Sequence, residues 1–215
     1  MFCSEELLDI LMDCADNGKE LSKMMDSDSI ATLSNNESVD IRIWAARALV
    51  YDAMNRITIE TLCQLANDKD AQVRVEAVDS LCEFCCAESY SVMRSAILDS
   101  DFLVRAYAAF GLAVIGKTIE PEEAKRLLIC AEEKETECRA LVGIYGGLYI
   151  LGQTSALDNL IMLFSSGDYH IQCAVLNILN EVLNDENCGK IQSFIHNIDL
   201  SVCSSAVVDT LKRLY

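Results

Sequence analysis

The stretch Asp70-Ala-Gln-Val73-Arg74-Val-Glu-Ala77-Val-Asp-Ser-Leu81 puts apolar residues at Val73, Ala77 and Leu81, one face of a helix that opens on an aspartate. Asp101-Phe-Leu-Val104-Arg105-Ala-Tyr-Ala108-Ala-Phe-Gly-Leu112 writes the same helix again. Ile41-Arg42 with Ala45 and Leu49 repeats the spacing upstream. Cys138-Arg139 with Val142, and Ile171-Gln172 with Val175 and Leu179, repeat it downstream, and a last copy opens at Asp199 and Val202. The marker residues Ile41, Val73, Val104, Cys138, Ile171 and Val202 lie 32, 31, 34, 33 and 31 residues apart. A period of that length belongs to a solenoid, because one unit alone cannot bury its apolar face.

A second amphipathic stretch precedes each marker from the second onward: Thr58 to Asn67, Ser89 to Leu98, Pro121 to Glu132, Ser155 to Phe164 and Asn187 to Ile198. Each unit therefore reads as a helical hairpin. Gly116 is expected to end its helix in the left-handed conformation, as are Gly152 and Gly167, and Pro121 with Glu122 and Glu123 suits a helix start. One proline and nine glycines in 215 residues leave little punctuation for hairpins of strands. The reading is all-α: a right-handed α-solenoid of about six helical hairpins in a single domain, 1–215, with acidic N-terminal capping helices over 1–36 and repeats over 37–215.

The pattern D-x-x-V-R-x-x-A-x-x-x-L on the second helix of a hairpin resembles HEAT repeats, particularly the short bacterial, HEAT-like (armadillo-like helical) kind, from roughly Asp28 to Tyr215. The resemblance implies that first helices form the convex face and second helices the concave one. It also implies a polar ladder between the turn aspartate and the helix arginine of neighbouring units. Arg42, Arg74, Arg105 and Arg139 occupy the ladder position, while Gln172 and Cys203 replace it, so the ladder should fade toward the C-terminus.

Composition narrows the function. Seventeen basic against 34 acidic residues give a net charge of −17 and a pI near 4.4, which argues against nucleic acid as a ligand. Ten acidic residues and two lysines fall in the first forty positions, as suits a solvated end cap. The start, Met1 to Glu6, is acidic where a secretion signal would be basic, and the apolar run Ala140 to Leu151 is about half the ~20 residues that span a bilayer. Eleven cysteines, an odd number and only about 5% of the chain, suit reduced thiols in a cytoplasmic protein that needs no membrane.

No catalytic or metal pattern stands out. His170 and His196 lie in no known motif. Neither is followed by Glu, so the iron-binding His-Glu pairs of HEAT-like hydroxylases are missing, and a DNA glycosylase would need a basic concave face. On a helix Cys82, Cys85 and Cys86 would share one face, but they lack a second Cys-x-x-Cys pair and read as structural thiols. Gly143, Gly146 and Gly147 fall inside a repeat helix, where they suit close packing or room for a partner. No cofactor is expected.

Counting three, six, seven and ten residues from each marker gives the expected free face of the second helices. It carries Trp44, Arg47 and Tyr51; Glu76, Asp79 and Glu83; Tyr107 and Phe110; and Leu141, Tyr145 and Tyr149 or its neighbour. Repeat five adds Ala174, Asn177 and Glu181. Trp44, Tyr107 and Phe110 are the expected apolar anchors, and Glu76, Asp79 and Glu83 the charged selector. The function read from this face is a non-enzymatic scaffold that binds a basic protein or peptide, in a narrower version an inhibitor or immunity-type protein. The alternative is an enzyme or cofactor protein of the bilin-lyase kind, which also uses short HEAT-like repeats.

Overall fold

The computed structural model describes residues 4–214. Helix, including short 3-10 turns, makes up 74%, and the described residues contain no strand. The α-helices are α1 (Ser4–Asn17), α2 (Ser27–Thr32), α3 (Val39–Leu49), α4 (Arg56–Leu65), α5 (Ala71–Leu81), α6 (Ala87–Ala96) and α7 (Phe102–Ile119). They continue with α8 (Pro121–Glu132), α9 (Cys138–Ile150), α10 (Ala156–Leu163), α11 (Tyr169–Glu181), α12 (Cys188–His196) and α13 (Ser205–Leu214).

Side-chain capping starts most of the odd-numbered helices. Ser38, Asp70, Asp101 and Asp168 each accept a hydrogen bond from a backbone N–H in the first turn that follows. From α3 onward each odd-numbered helix packs on the next, forming one continuous layer, and α1 packs on α3 as if it were the preceding member. In the other layer α2 packs on α4 and α4 on α6, so α2 takes the place of a first helix. Val73, Ala77, Leu81, Val104, Ala108 and Leu112 are all fully buried between the layers.

The N-terminal segment is fastened as well as packed. Asp52, just after α3, is buried and accepts from both the backbone N–H and the hydroxyl of Ser22, at 3.0 and 3.2 Å. The equivalent positions in the next two units, Phe84 and Ile115, are apolar and buried.

Three expectations need correction. Gly116 does not cap a helix: α7 runs through it to Ile119, and a methyl group on Gly116 would lie 2.5 Å from the Ala124 side chain. The glycine lets α7 and α8 approach, whereas Gly152 and Gly167 do adopt the left-handed conformation, with φ +85° and +80°. The last copy is out of register. Asp199 caps a 3-10 turn in which Val202 is 81% exposed, and the core residue that follows the Ser204 cap is Val207, fully buried. Finally, the most membrane-like stretch is α7 rather than Ala140 to Leu151. By length and composition α7 could cross a bilayer, but α5, α6, α8 and α9 pack around it.

The ladder is present, and its first three rungs use a different acid from the one expected. Asp70 and Asp101 are occupied as helix caps, and these rungs use residues two positions before the cap, Asp68, Asp99 and Glu135, while the fourth keeps the expected turn aspartate, Asp168. Arg42 grips Asp68 through two hydrogen bonds of 2.6 and 3.1 Å while donating to the carbonyls of Asn36 and Glu37 in its own turn. Arg74 repeats this with Asp99, and Arg105 with Glu135. The bidentate fork explains why arginine occupies the position. Burial pushes Asp68 and Asp99 up, but the arginines and the backbone N–H groups of Asp70 and Asp101 pull harder, so both titrate below the usual range. The ladder then fades. Arg139 makes a single 3.3 Å contact with Asp168, and Gln172 reaches only the Phe164 carbonyl of its own turn.

Candidate functional site

The odd-numbered layer is concave. Residues of α5 and α11, which have α7 and α9 between them, line one cavity of about 1010 Å³. Its walls carry Tyr107, Phe110 and Val114 from α7 and Cys173, Ala174, Asn177 and Ile178 from α11, with Asp79 and Glu83 at one end. Its floor is α9, where two glycines matter. A methyl on Gly143 would lie 2.0 Å from the Ala106 carbonyl oxygen, so α9 lies backbone to backbone against α7. At Gly146, Ile178 and Phe110 close over the bare backbone from opposite walls. The glycines thus set α9 back and deepen the groove.

A smaller pocket of about 370 Å³ adjoins it and shares Asp79 and Glu83. Trp44, Arg47, Tyr51 and Glu76 line this part, together with Ala15 and Asp16 of α1. The Arg47 guanidinium lies over the Trp44 ring, 4.8 Å from its centre, and grips Glu76 at 2.6 and 2.8 Å. Glu76 accepts from Gln72 as well. The Trp44 ring is half-buried against the core.

Asp79, Glu83 and, across the groove, Glu181 form no ion pair among the described residues. Solvent reaches Asp79, yet it lies deep in the concavity, and this loss of bulk water pushes its carboxyl up to about 6. Glu76, Glu83 and Glu181 add repulsion in the same direction, and Arg47 opposes it. Burial likewise raises Tyr107, with help from Asp79 and Glu76.

The structure therefore brings together eight of the ten expected site residues: Trp44, Arg47, Tyr51 and Glu76 in the smaller pocket, Tyr107 and Phe110 in the larger, and Asp79 and Glu83 in both. It does not include Leu141 or Tyr145. Leu141 packs against the core, and Tyr145 lies between the two buried clusters. The reason is positional: seven residues past the marker is an inward position, as buried Ala48 and Ser80 show, and Tyr145 occupies it. Tyr149, also named from the sequence, turns away from the groove, where its hydroxyl accepts from Asn187 at 3.0 Å. Arg139, Tyr169, His170, Cys173 and Ile178 line the groove without having been singled out for it. The first four lie within two positions of the marker, outside the face counted, and Ile178 lies seven past it; the curvature of the layer brings them in.

Among the described residues no three His, Cys, Asp or Glu side chains gather as metal ligands, and the ten described cysteines are free; Cys3 lies outside the described residues. Burial pushes the Cys63 thiol up to about 11 and raises Cys82 further, which keeps both protonated and unreactive at neutral pH.

With this geometry in hand, the family comparison is decisive for the fold: residues 59–144 match the model for HEAT repeats. Over that stretch the chain is similar to HEAT repeats. The match runs from α4 into α9 and takes in the arginines of two of the three regular rungs, Arg74 and Arg105. HEAT arrays commonly serve as scaffolds for protein interaction, and the family is typically non-enzymatic. No curated protein matches the chain.

Proposed function

We propose that this HEAT array is a non-enzymatic binding protein whose concave groove holds a basic, partly apolar segment of another protein. The observation that carries the reading is the pairing, in one cavity, of an apolar wall with three carboxylates that form no ion pair among the described residues. Tyr107, Phe110 and Val114 offer surface that loses water on contact, while Asp79, Glu83 and Glu181 attract Lys or Arg and repel phosphate backbones. Glu76 is engaged by Arg47, so Glu181 replaces it in the selector. The small size and acidity of the chain support the narrower version, occlusion of a basic partner in the cytoplasm by an inhibitor or immunity-type protein.

Selection of displayed random 16-residue peptides on the folded protein tests this. Enriched peptides should place Lys or Arg beside aliphatic or aromatic residues. Their binding should weaken more than tenfold on Asp79→Lys/Glu83→Lys and on Tyr107→Ala/Phe110→Ala, both still helical by circular dichroism. Peptides that bind both variants as tightly as the parent would contradict the proposal.

A further inference from the structure

The two walls of the groove belong to different hydrophobic bodies. One buried cluster runs from α1 into α9, where it includes Ile144 and Leu148, and reaches Ala156 at the start of α10; the other takes Val142 of α9 and the rest of the buried face of α10 and continues through α11 to α13. Tyr145 and Tyr149 pack against both, so α9 is the seam. On the α7 side the seam is firm, with backbone contact at Gly143 and the bidentate Arg105–Glu135 rung. On the α11 side the rung is the single, half-exposed contact between Arg139 and Asp168, and Ile178 rests on the bare backbone of Gly146.

Carboxylates face each other across this seam. Asp79 of α5 and Glu83, just past its end, lie on one side, and Glu181 from α11 adds to the charge felt by Asp79. The other titratable and charged groups around Asp79 are Glu76 on its own helix, Cys82 just after it, Arg47 from α3 and Tyr107 from α7, with Asp16 of α1 in the adjoining pocket and Cys85, Arg139, His170 and Cys173 lining the same groove. Arg47 is committed to Glu76 and Arg139 to Asp168, so Asp79, Glu83 and Glu181 form no ion pair among the described residues.

We propose that the groove is a charge-set clamp: the α11 wall pivots on α9, repulsion between Asp79 and Glu83 on one wall and Glu181 on the other holds it open, and neutralising these groups lets it close. The clamp rests on the groove being the docking surface only for its use, since a cation entering between the walls would remove the same repulsion. It operates below about pH 6, where Asp79 takes up a proton, while the ladder acids Asp68, Asp99 and Glu135, held below the usual carboxylate range, stay charged.

The free protein suffices for the test, so its failure and that of the peptide reading are separable. Spin labels on encoded non-canonical residues at Ser91 of α6 and Gln192 of α12, both exposed and one on each body, report the hinge by double electron–electron resonance. Closing the concave side spreads the outer layer. The mean distance should therefore lengthen between pH 7.5 and pH 5. Glu181→Gln should show the lengthened distance at pH 7.5 with most of the pH response gone, and Glu60→Gln, an exposed acid of α4, should behave like the parent. Circular dichroism at both pH values confirms that the helices persist. The proposal is overturned if the parent distance is the same at both pH values, or if Glu181→Gln keeps the full response.

Discussion

The body from α3 to α9 and the unit from α11 to α13 are built on one plan with different fastening. In the first, each arginine joins its own turn to the next through a fork, and the pair Arg42–Asp68 is almost wholly buried, at 4% and 8% side-chain exposure. In the second, the rung has shrunk to Arg139–Asp168, at 30% and 40% exposure, and then to a glutamine. Helical periodicity alone is enough to stack the units. The ladder adds fixed spacing between them, so where it lapses the stack keeps its form but gains freedom. The groove lies across that change, with one firm wall and one loosely held.

The largest contrast should come from the rungs themselves. Arg42→Ala leaves Asp68 buried without its cation and frees two turn carbonyls, and should cost about 3–5 kcal/mol in urea unfolding. Arg139→Ala, at a partly exposed single contact, should cost less than ~1 kcal/mol. Equal losses would remove the distinction between the two regions. Next in size is Gly143→Ala, whose new methyl would meet the Ala106 carbonyl at 2.0 Å. Backbone cannot yield as a side chain can, so we expect a loss of about 2 kcal/mol despite the better helix propensity of alanine.

The smallest effect is electrostatic and changes with pH. Asp79 titrates near 6 in the folded chain, above its ordinary 3.8, so the folded state holds the proton more tightly. Its contribution to stability therefore rises as pH falls from about 7 toward 4. Asp79→Asn should be more stable than the parent at pH 7.5, with roughly half of the difference left at pH 5 and little of it below about pH 3.8; thermal unfolding across that range reads it.

How much of this was legible in the sequence differs by level. The repeat, its buried positions and the fading of the ladder follow from spacing and from the letters at one register position. Helix ends were harder, because Gly116 could equally end a helix or allow one to pass close to another, and only the Ala124 side chain decides. The last unit misled because Asp199 and Val202 imitate the start of a helix that begins only at Ser205. The groove was half legible. Counting along one helix finds Asp79, Tyr107 and Phe110, but curvature brings α11 opposite α5, and no count within a repeat contains that.

Hydrogen exchange with mass spectrometry, on the chain alone and with a selected basic peptide, reads both the unequal fastening and the groove. In the free protein α5, α7 and α9 should exchange slowest and α11 to α13 faster. The peptide should slow exchange in α7 and α11 and at the end of α5. Uniform protection in the free chain would contradict the unequal fastening, and peptide protection confined to α4, α6 and α8 or to residues 4–36 would contradict the groove as the site.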